Sequence, residues 1–163
     1  MLVYHPAFDS YHCLFRNISI LEVCGECEVE RLRILDFCLA FPAVVTNFRL
    51  PRSRLALKNA AMGASNPYRD PISMRAMFAN LTAIQLAAFS CLTATGLATL
   101  DAGVLARTQT PLPDVIKERC LSMQSQEHIF FDTLLSELNA IPLLGPDGLK
   151  ARSELMEFRY DRT

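Results

Sequence analysis

Apolar side chains fall at helical spacing in several long stretches of the chain and alternate in one short stretch. In HCLFRNISILEV (His12–Val23), Leu14, Ile18 and Leu21 recur three or four apart, which fits a short helix or strand. Gly25 interrupts this run, so CGEC (Cys24–Cys27) reads as a corner. EVERLRILDFCLAF (Glu28–Phe41) predicts a firm helix: Leu32, Leu35 and Leu39 form its stripe, widened by Ile34, Phe37, Cys38 and Phe41. Pro42 ends it, because proline has no amide proton and clashes one turn back. A second firm helix is expected over Ser73–Gly96, with Ser73 as N-cap, Met77, Leu81, Ile84, Ala88 and Leu92 as its apolar face and Gly96 as its stop. LATLDAGVLART (Leu97–Thr108) predicts a hairpin that turns at Asp101-Ala102-Gly103. After TPLP comes a long helical signal, Asp114–Ala140, and LKARSELMEFRY predicts a last short helix.

Between the two firm helices the texture changes. Arg49, Arg52, Arg54 and Lys58 crowd into ten residues, and Pro51, Gly63, Pro67 and Pro71 punctuate the stretch. It predicts a connector with a short helix near Leu55–Met62 and turns at Asn66-Pro67 and Asp70-Pro71.

Helix, basic connector, helix, then a two-stranded hairpin is the order of a winged helix. The expected fold is therefore mainly α with a small β-hairpin wing: a winged-helix-like core over residues 1–110 and a C-terminal helical extension over 111–163, packed on the core or on a partner. In this order the helix before the hairpin is the one that reads DNA. Here it carries Arg75 as its only cation, with Asn80, Thr82 and Gln85 as further polar groups. A helix that reads bases or follows phosphates normally presents arginine, lysine or asparagine to the groove. The composition of this one fits contact with protein better.

Charge and composition narrow the function. The formal net charge is -1, so no long-range field draws in nucleic acid. Apolar residues make up 51 % of the 163 residues, which leaves enough to build a core without disulfides and to offer surface to a permanent partner. No apolar run reaches the roughly 18 residues of a membrane span. A cytoplasmic protein with reduced cysteines and no membrane contact is expected.

Candidate chemistry is sparse. Cys24 and Cys27 have the spacing of half a zinc site, but a structural site needs four ligands. The other candidates are His5, His12 and Cys13 nearby, and Cys120 and His128 far along the chain. As a redox pair they are disfavoured by Glu26, Glu28 and Glu30, which oppose a thiolate. Cys91 and Cys120 sit on apolar helices and read as small hydrophobes. The motifs GxSxG, GxxxxGK and HExxH are absent. Asp36, Asp101 and Asp114 are isolated, which gives no two-metal site, and Asp36 is expected at a partly exposed edge or paired with Arg33 or Arg54. No cofactor and no catalytic residue are expected. Arg49, Arg52, Arg54, Lys58 and Arg75 are the candidate phosphate contacts, of a kind that holds backbone without reading sequence. Phe78, Phe89, Phe130 and Phe131 are the candidate partner contacts, although each also fits a core position. Phe130 and Phe131 point about 100° apart on one helix, so both are not expected to be fully buried.

YHPAFDSYHCLFR, EVERLRILDFCLAFP, NPYRDP and LTAIQLAAFSCLTATGLATL, together spanning Tyr4–Leu100, resemble the middle component of three-component ABC-ATPase systems, whose members include the Lamassu-type defence operons. RLRILDF (Arg31–Phe37) matches the family helix and NPYRD (Asn66–Asp70) its loop before the second helix. CGEC matches no family signature. The resemblance implies a small subunit similar to winged-helix accessory subunits, with no chemistry of its own. Its implied partners are a large coiled-coil ATPase similar to the structural-maintenance-of-chromosomes (SMC) proteins and an effector, often a nuclease, in a complex that responds to phage or plasmid DNA. The leading expectation is thus a non-catalytic adaptor between such an ATPase and the effector nuclease, with sequence-independent DNA contact within the complex. The alternatives are a winged-helix DNA-binding transcriptional regulator and a small zinc or thiol protein built on Cys24 and Cys27.

Overall fold

The computed structural model describes residues 5–126 and 128–157; for 123–126 and 128 it describes the backbone alone. Tyr4, the start of the stretch that carries the resemblance, and the last residues of LKARSELMEFRY lie outside the described residues, as does the side chain of His128. In chain order the elements are α1 (Ser10–Cys24), β1 (Glu26–Glu28), α2 (Val29–Ala40), α3 (Leu55–Ala64), α4 (Met74–Asn80), α5 (Thr82–Ala94), β2 (Ala98–Asp101), β3 (Val104–Arg107), α6 (Asp114–Gln126), α7 (His128–Asn139) and α8 (Leu149–Ser153). Short 3-10 turns lie at Pro6–Phe8, Pro42–Asn47 and Arg52–Arg54. The fold is mainly α with a three-stranded antiparallel sheet. It divides into two compact units, Met1–Asp36 with Leu81–Gln126, and Phe37–Asn80 with Glu127–Thr163.

The first unit has a winged-helix-like core. Asp9 caps α1, its carboxylate accepting from the amides of Tyr11 at 2.8 Å and His12 at 3.2 Å. Gly25 ends α1 at φ 74°, a backbone position that costs a residue without a Cβ little, and its amide bonds back to the Leu21 carbonyl. CGEC is thus the corner its glycine predicts, and it does more: Glu26–Glu28 form β1, a strand that the sequence reading missed. β1 pairs with β3, and β3 with β2, giving the order β1-β3-β2. Helix, strand, helix, helix and hairpin, with the first strand on the outer side of the hairpin's second strand, is the winged-helix arrangement. The β2–β3 turn has Ala102 at φ 45° and Gly103 at φ 78°, the two left-handed positions of a two-residue hairpin loop. α5 ends where the sequence predicts: the Gly96 amide bonds to the Thr93 carbonyl and the Leu97 amide to the Leu92 carbonyl. α6, on the C-terminal side of the hairpin, packs on α1.

The second unit is helical. The expected connector contains α3, which packs along α7 and the 3-10 turn Pro42–Asn47. Its aromatic core includes Phe37, which meets Phe78 edge-on at 5.4 Å between ring centroids and Phe41 at 5.3 Å. Pro42 stops α2 as expected, and the Phe41 amide closes the last helical bond to the Phe37 carbonyl.

Two long elements differ from expectation. The helix expected over Ser73–Gly96 is broken at Leu81 into α4, in the second unit, and α5, in the first. Leu81 sits at φ -79° and ψ -11°, off the regular helix, and its side chain is buried. The helix expected over Asp114–Ala140 is α6 and α7, which also belong to different units; residue 127 lies outside the described residues. Within α2, burial extends almost all the way round rather than along one stripe, because the helix contributes Val29–Asp36 to one core and the residues from Phe37 onward to the other.

Candidate functional site

At the centre of the first unit lies a buried polar cluster. Asp36 on α2 is fully buried and accepts from Arg16 Nε at 2.7 Å, Asn17 Nδ2 at 3.2 Å and Gln85 Nε2 at 2.8 Å. It therefore ties α1, α2 and α5 together. This corrects the exposed-edge reading of Asp36 and its pairing with Arg33 or Arg54. Arg33 instead donates to Gln85 Oε1 and Thr82 Oγ1, and Arg54 pairs with Glu137. Burial opposes the charge on Arg16, but the neighbouring Asp36 carboxylate outweighs it and the guanidinium is held protonated. Cys13 lies against this carboxylate. Burial first, and Asp36 second, push its thiol up to about 12, so it is no nucleophile. The cluster is closed off from solvent and has the character of a structural clamp.

α5, the helix before the hairpin, faces solvent with Ala83, Leu86, Ala87, Ser90, Cys91 and Ala94. Its whole sequence, TAIQLAAFSCLTA, carries no charge. The polar groups that sequence offered for base reading point elsewhere. Gln85 is buried in the Asp36 cluster, Thr82 accepts from Arg33, and Arg75 lies on α4, where it donates to the Glu154 carbonyl.

The sheet is acidic on its outward side. Cross-strand partners share a face and faces alternate along a strand. Glu28, Val104 and Asp101 therefore form one row, and Glu26, Ala106 and Thr99 another row on the same face. The row between them, Cys27, Leu105 and Leu100, looks inward, and Cys27 and Leu105 are buried. Three carboxylates thus stand on the outward face of the sheet, two on β1 and one, Asp101, on the hairpin. Arg31 pairs with Glu28 and draws its pKa below the usual range, against a larger opposing effect of burial and with help from a backbone hydrogen bond. Arg107 pairs with Glu22 and also donates to the carbonyls of Leu97, Thr108 and Thr110.

The candidate phosphate contacts all lie in the second unit, where Arg49 and Arg75 converge on Glu154, on its carboxylate and its carbonyl. Arg49 pairs with Glu154, Arg54 with Glu137, and Lys58 donates to the Thr46 carbonyl. Arg52 is exposed, and no partner is described for it. The candidate partner contacts Phe78, Phe89, Phe130 and Phe131 are all buried within the chain, at 3 to 5 % exposure. Phe130 and Phe131 are both accommodated because α7 buries a double row, Phe130 and Leu134 beside Phe131, Leu135 and Leu138. The large apolar side chains left exposed include Leu86 on α5, Leu100 on the edge strand, Val115 and Leu121 on α6, and Tyr68 and Ile72 in the loop before α4.

Cys24, half-buried, ends α1, and Cys27 lies on β1. Cys27 is a buried strand residue whose thiol is pushed up to about 12, first by burial and then by Cys24. Among the described residues no three His, Cys, Asp or Glu side chains are grouped as metal ligands. No single helix among the described residues is long and apolar enough to cross a membrane.

The model of one protein family, described as ABC-three component (ABC-3C) system Middle Component 5, matches residues 2–161. Neither the curated proteins nor the solved structures contain a match.

Proposed function

We propose, from the premise that the chain belongs to the ABC-three component (ABC-3C) system Middle Component 5 family, that it works by protein contact, joining an SMC-like coiled-coil ATPase to an effector nuclease in a cytoplasmic defence complex. Family membership makes it a non-catalytic accessory component of an SMC-like defence system. The link to a nuclease and the choice of partners are our reading.

The observation that carries this reading is the surface of the winged-helix-like unit. A winged helix that binds DNA needs cations on the helix before the wing and on the wing itself, since phosphate contacts supply most of the affinity. Here that helix is uncharged, and the outward face of the sheet bears Glu26 and Glu28 on β1, the latter paired with Arg31, and Asp101 on the wing. Both features oppose a polyanion and suit a protein partner. Of the five cations considered for phosphate contact, Arg52 alone is exposed without a described partner, so the complex's grip on DNA falls mainly to the other subunits.

Fluorescence anisotropy with a labelled duplex separates this reading from a DNA-binding regulator. The isolated chain is expected to leave the anisotropy flat at moderate salt. Saturable binding that weakens steeply with salt, and is lost in Arg52→Ala, would instead establish a DNA-binding protein.

A further inference from the structure

The second unit carries a knob, a hole and two opposite charges within a few residues of one another. The knob is the loop between α3 and α4, where Tyr68 and Ile72 are fully exposed, at 99 % and 108 %. The hole is a pocket of about 210 Å³ beside the same loop. Leu39, Phe41 and Pro42, at and just beyond the end of α2, back the hole but are themselves buried, and Asn66, Arg69 and Asp70 of the loop form its polar rim. This volume is below the roughly 300 Å³ at which small-molecule sites begin, and it suits one side chain of a protein. Arg69 and Asp70 have no ion-pair partner among the described residues.

We infer that this loop is a self-association surface and that its occupant is a second copy of the chain. A two-fold interface must complement itself, because both partners present the same residues, and this patch does so in charge. Tyr68 of each copy enters the other's pocket, its hydroxyl at the Asn66 and Asp70 rim. Arg69 of each copy meets Asp70 of the other, so the ion pair forms twice. Pro67 and Pro71 restrict the loop, and the Tyr68 and Arg69 amides are bonded to Asn66 Oδ1 and its carbonyl, so little ordering is left to complete on binding.

The experiment uses the full chain and measures mass by analytical ultracentrifugation over a wide concentration range. The wild type is expected to pass from monomer to dimer as concentration rises. Arg69→Asp and Asp70→Arg each place like charges across the two-fold, and each weakens the dimer about tenfold or more. Mixed in equal amounts, the two variants restore opposite charges at both contacts and form a mixed dimer, an outcome that misfolded variants could not produce. Tyr68→Ala weakens the dimer without changing charge. A wild type that stays monomeric throughout overturns the inference, as do a dimer that none of these substitutions affects and a mixture that stays as monomeric as its parts. A monomeric wild type whose capture of a partner subunit is lost in Arg69→Asp would assign the loop to that partner instead.

Discussion

Asp36 accepts a hydrogen bond from Arg16 Nε at 2.7 Å, and both side chains are buried in the winged-helix-like unit. Asn17 and Gln85 share the same carboxylate, so Asp36 joins α1, α2 and α5 through one group. A buried pair is weak support for stability in itself, but breaking one is costly because it strands a charge. Asp36→Ala is expected to destabilise the chain by about 3–5 kcal/mol in urea denaturation. Arg16→Met combined with Asp36→Leu should cost less than Asp36→Ala alone, yet more than nothing, because the Asn17 and Gln85 amides lose their acceptor. Additive losses in this double-mutant comparison would show that the two groups do not act as a pair.

The hairpin turn holds a second lever. Ala102 occupies a left-handed position, at φ 45°, that asparagine tolerates better than alanine. Ala102→Asn should stabilise the chain by up to about 1 kcal/mol and raise Tm by roughly 2–4 °C. An unchanged or lower Tm in calorimetry would contradict the turn geometry.

Elements within one local stretch could be read from the sequence, whereas features set by distant partners could not. The helix α2, the stop at Pro42, the cap at Gly96 and the turn at Gly103 each depend on a few neighbouring residues, and all are present. β1 was missed because ECE is short and two-thirds acidic; it is a strand only because β3, nearly eighty residues later, pairs with it. The break at Leu81 has no proline or glycine to announce it, and the apolar spacing runs straight through. Asp36 looked like an edge residue because its partners, Arg16 and Gln85, come from helices on either side of it in the chain. The four phenylalanines were ambiguous for the same reason: hydrophobicity marks them as covered, but only tertiary packing shows that the chain itself covers them.

Thiol reactivity tests the reading of CGEC. Cys13 and Cys27 are buried with thiols near 12, and Cys38 is buried, whereas Cys91 is exposed on α5. With an aromatic disulfide reagent at neutral pH, Cys91 should be modified first, and Cys13, Cys27 and Cys38 only as the chain unfolds. Peptide mapping by mass spectrometry identifies the sites. Early labelling of Cys27 would reopen the thiol reading.

His12 gives a pH dependence with a defined sign. Burial is the largest influence and lowers its pKa below the ordinary 6.5; Asp9 opposes this, and Arg119 and Arg16 add to it. The unfolded chain therefore takes up the proton first as pH falls. The contribution of His12 is full above about 6.5 and declines as the pH falls through that value toward the lower folded one. His12→Gln should flatten the stability profile across this window, and an unchanged slope would remove His12 as its cause.

The central claim is that the chain acts by contact within a larger assembly. Co-expression with the products of its adjacent genes, followed by native mass spectrometry of the purified material, tests it most directly. The account predicts a complex that contains a large ATPase subunit. A chain that purifies free of any ATPase, as monomer or dimer, and binds duplex DNA by itself would contradict it.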